Sequence, residues 1–286
     1  MRISDLLKGD SVTISFEVFP PKKADGLEAV REATEKIAAL YPSYMSVTYG
    51  AGGSSSKLTL EIAKNIQERF DVPVIPHFTC VSSTKERAEE EIRLVQEAGI
   101  ENLMALRGDI PLDGATEHDF PHAVDLIRFI RERSDICIGA ACYPEGHVES
   151  AHKADDIRYL KEKVDAGADF LVTQMFFDNN IFYNFLYRAR DIGITCPIVP
   201  GIMPITRAKQ LGRSVALSGT NVPERFRAIV DHFGENPDAM KKVGIIYATD
   251  QIIDLLANGI RHIHVYSMNK PDVAAAIMEN LADIIK

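Results

Sequence analysis

Polar and ionisable residues recur at the ends of short apolar runs in this chain. Glu17 lies in ISFEVFPP, Thr48 in VTYGAGG, His77 in PHFTC, and Arg107 and Asp109 in ALRGD. Tyr143, Glu145 and His147 follow a fifth run, Gln174 lies in VTQMFFD, and Tyr266 ends the last run. In an extended strand, Ser15, Glu17 and Phe19 share one face and Ile14, Phe16 and Val18 the other. Desolvation raises the pKa of a carboxylate among apolar neighbours, which suits a general acid near neutral pH. A buried glutamate paired with a basic residue for purely structural reasons is the equal alternative.

The other candidates carry similar pairs of readings. Gly108 lets the backbone approach a ligand closely, and Arg107 can grip a phosphate bidentately; an ordinary strand-end ion pair is the alternative. An adhesion reading of the Arg107-Gly108-Asp109 tripeptide would need an exposed extracellular loop. His77 and His147 can serve as acid/base groups, hydrogen-bond donors or metal ligands, but no H-x-x-x-H or H-E-x-x-H spacing supports a metal. The stretch from Gly50 to Ser56 can form an anion-binding nest or simply cap a helix, and it fits neither glycine-rich nucleotide motif. Phe176 and Phe177 can stack on a ligand ring, although core packing is the commoner fate. Lys163, mid-helix in YLKEKVDAGAD, reads by itself as a solvated lysine.

These residues need a scaffold that gathers strand ends. Eight candidate strands cover 12–19, 44–49, 74–79, 102–107, 136–141, 170–175, 198–202 and 262–266. Amphipathic segments at 57–70, 85–98, 123–133, 151–166 and 182–192 alternate with them. Such alternation implies a parallel sheet covered by helices. A helix end, a glycine and a strand recur at Gly99, Gly167, Gly193 and Gly259, where a helix terminus favours a left-handed residue. Eight βα units over 286 residues match an α/β fold of the (β/α)8 TIM-barrel type, with one domain spanning 1–286. The stretch from 204 to 258 exceeds one helix and predicts extra helices between strands seven and eight. A doubly wound open sheet would carry a glycine-rich first turn, and here that turn reads Pro20-Pro21-Lys22-Lys23. In a barrel the active site lies at the C-terminal ends of the strands, where these polar residues fall.

Composition limits the remaining classes. The net charge of −9 disfavours nonspecific nucleic-acid binding. No stretch approaches the ~18 apolar residues of a membrane span, and the first residues lack a signal-peptide pattern. Cys80, Cys137, Cys142 and Cys196 form no C-x-x-C pair and read as reduced core thiols of a cytoplasmic protein.

The ordered motifs ISFEVFPP, MSVTYGAGG, PHFTC, ALRGDIP, AACYPEGH, KVDAGADFLVTQMFFD, PGIMPI and HVYSMNK resemble the bacterial, single-domain methylenetetrahydrofolate reductase family. The resemblance runs from about Ser15 to Lys270. It implies a (β/α)8 barrel that binds FAD and reduces 5,10-methylenetetrahydrofolate to 5-methyltetrahydrofolate by ping-pong hydride transfer, feeding one-carbon metabolism and methionine synthesis. NADH or NADPH is the implied co-substrate. Glu17 matches the family's general acid and Asp109 an aspartate near flavin and pterin. Thr48, Ala51, His77, Arg107, Gly108, Asp109, Ala123, Tyr143, His147, Asp156, Tyr159 and Lys163 match FAD-contacting positions. Gln174, Gln210, Tyr266 and Lys270 match positions that hold folate or nicotinamide.

Three positions depart from the pattern. Ser214 stands where a phenylalanine stacks on nicotinamide or the folate tail. Lys270 stands where an arginine is common, exchanging a bidentate contact for a point charge. Tyr159 replaces a small amide. The first departure opens an alternative: the same flavin barrel acting as the folate-reducing subunit of a larger electron-transfer complex. A third reading, a flavin-free barrel such as an aldolase or pterin-dependent methyltransferase, lacks support because no strand of this chain ends in a suitable Schiff-base lysine. Expected partners are folate, an electron donor and further copies of the chain. Because FAD and folate are anionic, the reading also expects the acidic surplus on outer helices such as KERAEEEIRLVQEAG, around a basic pocket formed by Arg107, Lys163 and Lys270.

Overall fold

The computed structural model describes residues 1–21, 26–49, 55–81, 83–109, 118–150 and 153–285. A short helix α1 (Ile3–Leu6) precedes the repeats β1 (Thr13–Val18), α2 (Leu27–Ala38), β2 (Tyr44–Val47), α3 (Ser55–Phe70), β3 (Val74–Thr79) and α4 (Lys85–Glu97). They continue as β4 (Asn102–Leu106), α5 (Ala123–Arg131), β5 (Cys137–Cys142), α6 (Lys153–Asp165), β6 (Phe170–Thr173) and α7 (Asn179–Asp191). After β7 (Ile198–Val199) and β8 (Gly201–Ile202) come α8 (Ala208–Ser218), α9 (Glu224–Phe233), α10 (Pro237–Ala257), β9 (His262–Tyr266) and α11 (Pro271–Leu281).

All strand pairings are parallel, in the order β7-β6-β5-β4-β3-β2-β1-β9-β8. β7 and β8 are two halves of one stave, one paired with β6 and the other with β9, so the sheet comes round on itself as a (β/α)8 barrel. The sequence reading expected one unbroken strand over 198–202. Pro200 interrupts it because proline has no N–H for the ladder, while its carbonyl still accepts from His264 N at 3.0 Å.

Period-2 alternation divides the core in two. Ile14, Phe16, Val18, Met45, Val47, Val74 and Phe78 point outward beneath the helices. Tyr44, Ile75, Met104, Cys137, Phe170, Val172 and Val199 fill the barrel interior, where Ile3 and Leu7 plug the N-terminal end. The Asn102 side chain ties that plug down. Its Oδ1 accepts from Ile3 N at 2.7 Å, and its Nδ2 donates to the carbonyls of Met1 and Val74, both at 3.1 Å.

The predicted extra helices are α8, α9 and α10. They enclose a separate cluster of Met175, Phe177, Met203, Ile205, Leu211, Phe226, Val230, Met240 and Tyr247. Phe176 and Phe177 are both buried, stacked on Phe182 and tilted against Phe226, so core packing accounts for them. The four recurring glycines have φ between +66° and +118°, as their places after helix ends require. On α4, Glu86, Glu89, Glu90 and Glu97 face solvent as expected, but Glu91 is buried and burial pushes its carboxyl up. Cys80, Cys137 and Cys142 are buried free thiols, and Cys196 is partly buried. Among the described residues no helix is long and apolar enough to cross a membrane.

Candidate active site

Strand register builds the centre of the site. Glu17 on β1 is flanked by Ser46 on β2 and Tyr266 on β9, and one layer below it Ser15 is flanked by Tyr44 and His264. All six side chains come from inward-facing positions, so a polar column stands along one wall of the barrel interior. Glu17 Oε2 lies 3.7 Å from His77 Nε2, 3.8 Å from His264 Nε2 and 3.5 Å from Ser46 Oγ. His264 is anchored from beneath by Ser15 Oγ, 2.8 Å from its Nδ1, and its ring lies parallel to that of Tyr44.

The environment of Glu17 corrects the expectation of a raised pKa. Burial does push its carboxyl up. The neighbouring imidazoles of His264 and His77 and the Ser46 hydroxyl outweigh that effect, holding the carboxyl below its ordinary value. His77 is pushed down to about 4, chiefly by burial, with Glu17 opposing the shift and His264 adding to it.

Tyr266 covers the same layer from β9. Its hydroxyl donates to Thr173 O at 2.5 Å, and burial drives its pKa far up. This cross-barrel bond depends on Gly201, where a Cβ would stand 2.4 Å from Thr173 O and 2.6 Å from the Tyr266 hydroxyl. Gln174 lies just beyond β6, its Oε1 accepting from Met175 N at 3.0 Å. Gln210 on α8 and Lys270 at the start of α11 converge on Thr206. Gln210 Oε1 accepts from Thr206 N at 3.2 Å, and Lys270 Nζ donates to Thr206 Oγ1 at 2.5 Å. Burial and the charge of Arg207 lower the Lys270 pKa. Ser214 is buried on α8, with its carbonyl accepting from Ser218 Oγ.

A second group gathers at the ends of β4 and β5. Gly108 has φ +86°, and a Cβ there would lie 2.9 Å from both Thr79 and Val81, so the backbone presses against β3 as only glycine allows. Arg107 forms a two-pronged ion pair with Glu149, which realises its structural reading in this state. The Tyr143 and His147 rings meet edge to face at 4.7 Å, and burial pushes the Tyr143 phenol up to about 12. Burial and Arg107 lower the His147 pKa. Asp156 accepts from Ser150 Oγ, Ala123 is buried at the first turn of α5, and Thr48 O accepts from Thr59 Oγ1.

Lys163 is not the solvated residue that its helix position alone suggests. Its ammonium turns inward, donates to Ala141 O at 3.0 Å and lies 6.0 Å from the Tyr143 ring centre. Burial lowers its pKa, and among the described residues no carboxylate lies within 4 Å of it. Two candidates stay outside this group: Asp109 is exposed, and Tyr159 is half exposed beside Arg158. Ala51 lies outside the described residues.

Sequence reasoning missed Ser15, Ser46 and His264 as members of the site. The signal was present in His262-Ile-His-Val-Tyr266, whose alternation puts His264 on the same face as Tyr266.

A profile of the methylenetetrahydrofolate reductase family matches residues 2–282. The chain belongs to that family. A methylenetetrahydrofolate reductase (NADH) from Zea mays is 39% identical over 289 residues, covering 96% of this chain and 49% of the maize protein. The chain thus spans about half the length of the plant methylenetetrahydrofolate reductases it matches. A 5,10-methylenetetrahydrofolate reductase from Pectobacterium carotovorum is 34% identical, covering 94% of this chain and 90% of its own. Among solved structures, an uncharacterised Clostridium thermocellum protein that binds two copies of 5-methyl-5,6,7,8-tetrahydrofolic acid superposes with a TM-score of 0.70. At 16% identity over 99% of both chains, it supports the barrel fold of this methylenetetrahydrofolate reductase family member.

Proposed function

We propose that this protein reduces 5,10-methylenetetrahydrofolate to 5-methyltetrahydrofolate, with FAD as its bound electron carrier and the product supplying methyl groups for methionine synthesis. The observation that carries the reading is Glu17, a carboxylate enclosed by two imidazoles, a serine and a tyrosine at the C-terminal mouth of a barrel of this family. The folate found in the Clostridium structure gives a folate ligand further support.

The residues present fit a flavin dinucleotide. Among the described residues His77 Nε2 is buried without a hydrogen-bond partner, so a polar ligand edge would satisfy a group that is otherwise costly to bury. Gly108 keeps the end of β4 free of a Cβ. Lys163 supplies an inward cation that has no carboxylate partner among the described residues, suited to a phosphate. Thr48, Ala51, Ala123, Tyr143, His147, Asp156 and Tyr159 complete the proposed cofactor contacts, and Arg107 joins them by exchanging Glu149 for a phosphate. FAD, when bound, supplies a two-electron carrier that one partner can reduce and another reoxidise.

The protein's own groups act on the folate. Glu17 delivers a proton to the nitrogen that departs as the methylene bridge opens, leaving a 5-iminium cation on the substrate. Folate seated over Glu17 excludes water, strengthening the burial effect that raises its pKa and favouring the protonated form an acid needs. The negative charge of Asp109 stabilises the cation. Gln174 and Tyr266 orient the pterin, and Gln210 and Lys270 hold the distal part, Lys270 as a point charge for a glutamate carboxylate.

NADH is the donor in this reading, as the names of the plant relatives suggest, with NADPH as its substitute. A second reading rests on Ser214: a small buried side chain offers no ring to stack on nicotinamide, and a partner redox subunit would then deliver the electrons. Anaerobic mixing of the flavin-loaded protein with NADH separates the two. Rapid bleaching supports direct donation, and no bleaching by NADH or NADPH supports the partner. Glu17→Gln is expected to keep flavin reduction and to lose folate reduction; folate turnover at the wild-type rate would remove Glu17 from the acid role.

A further inference from the structure

Backbone pairing between β1 and β9 ends at Glu17 and Tyr266. Beyond it, the side chains of the turn after β9 take over. Ser267 Oγ donates to Glu17 O at 2.6 Å. Asn269 Oδ1 accepts from Phe19 N at 3.0 Å, and Asn269 Nδ2 donates to Phe19 O at 2.8 Å. The asparagine amide thus behaves as one more residue of a β ladder, satisfying both backbone groups of Phe19.

The turn that places these side chains is strained. Met268 and Asn269 are consecutive non-glycine residues in the left-handed region, with φ of +54° and +53°. Asparagine tolerates that region; methionine rarely adopts it. Met268 is 39% exposed, so its own burial does not account for the conformation. Strain of this kind persists where surrounding contacts over-determine it, commonly beside functional groups. Here those contacts are the Ser267 and Asn269 clamps on β1, the Lys270 N to Ser267 O bond at 3.1 Å, and the Lys270 bond to Thr206.

The geometry points to Ser267 and Asn269 as positioning residues that hold the end of β1, and with it Glu17, at a fixed place relative to Lys270. The inference rests on the reading of Glu17 as the acid. Neither residue touches substrate in this account. They act by pinning the main chain on either side of Val18, while the same four-residue turn anchors the lysine assigned to the folate tail. One rigid turn thereby couples the reacting end of the folate to its distal end.

Asn269→Gly tests this, because glycine accepts the left-handed conformation at no steric cost while the amide clamp is lost and the turn gains backbone freedom. In the flavin-loaded variant, folate reduction is expected to slow by about 10- to 100-fold, the scale of a catalytic group misplaced by about 1 Å. The rate of flavin reduction by the donor, or by dithionite if nicotinamides do not react, should stay within about twofold. In the ligand-free protein, amide exchange over 13–19 should accelerate. Asn269→Asp, which keeps the acceptor for Phe19 N, should fall between glycine and wild type. If Asn269→Gly does not fold, Ser267→Ala applies the same measurements to the other clamp. A folded variant with wild-type exchange over 13–19, or with faster exchange but an unchanged folate rate, overturns the proposal. Glu17→Gln run in parallel separates the two layers. If it abolishes folate reduction while the clamp variants do not change it, the acid reading stands and the positioning role falls. If Glu17→Gln is silent, the acid reading itself fails and the positioning role falls with it.

Discussion

The imidazole Nε2 of His264 stands 3.8 Å from Glu17 Oε2, while its Nδ1 is held 2.8 Å from Ser15 Oγ one layer deeper in the barrel. The His264 imidazole is therefore part of the environment that lowers the Glu17 pKa, acting from the opposite side of the β1–β9 seam. His264→Ala removes an imidazole that lowers the Glu17 pKa, leaving burial, which raises it, opposed by His77 and Ser46 alone. The protonated carboxyl band of Glu17, identified by infrared difference against Glu17→Gln, should persist to higher pH in His264→Ala. An unchanged titration would show that the contact does not control Glu17.

His77 gives stability a pH slope. Its folded pKa of about 4 lies below the ordinary value of 6.5, so between those values the unfolded chain binds a proton that the folded chain does not. Stability should therefore fall as pH drops through this window and level off below it, by about 3 kcal/mol in all at ~1.4 kcal/mol per pH unit. Glu17 adds in the same direction, because its lowered pKa contributes stability that is lost as pH falls through the folded value. Urea unfolding of wild type and His77→Asn from pH 7 to pH 4 checks this; the variant should show a distinctly flatter profile.

Lys163 should matter to the cofactor more than to the fold. A hydrogen bond to a charged group contributes about 1.5–3 kcal/mol, so Lys163→Met should weaken FAD binding by about 10- to 100-fold. Its thermal midpoint without flavin should stay near wild type or rise, because a desolvated cation is removed. Titration of the flavin-free protein with FAD, followed by flavin fluorescence, measures the difference. Wild-type affinity would place the phosphates elsewhere.

Asn102 tests the floor of the barrel, far from the chemistry. Asn102→Ala removes three hydrogen bonds from a side chain that is 2% exposed and leaves Ile3 N without its partner. The expected loss is about 3 kcal/mol in urea unfolding, with faster amide exchange in residues 1–7. A change below about 0.5 kcal/mol would show that the N-terminal plug is held by Ile3 and Leu7 packing alone.

The barrel was legible because each βα unit carries its own period and most helix ends carry their own glycine. The break at Pro200 was visible only as a proline in an apolar run; that two half-strands pair on opposite sides follows from barrel closure, which no local pattern encodes. Glu17 and Tyr266 could be picked out as strand-end polar residues. For His264 the alternation shows only an inward-facing histidine on the face of Tyr266; its place beside Glu17 follows from the register of β9 with β1. The sign of the Glu17 shift escaped for the same reason. Desolvation was readable from its neighbours in sequence, but the opposing imidazoles come from β3 and β9. Lys163 was misread from its helix alone because the direction of a long side chain depends on what the helix packs against.

The central claim is that a flavin held in this barrel passes electrons to a folate methylene group. The direct measurement is anaerobic: load the protein with FAD, reduce it with dithionite or NADH, remove the excess, and add 5,10-methylenetetrahydrofolate. The account predicts return of the oxidised flavin spectrum with formation of one 5-methyltetrahydrofolate per flavin, and loss of that reoxidation in Glu17→Gln. A protein that cannot be loaded with FAD, or whose reduced flavin stays bleached in the presence of the folate, would contradict it.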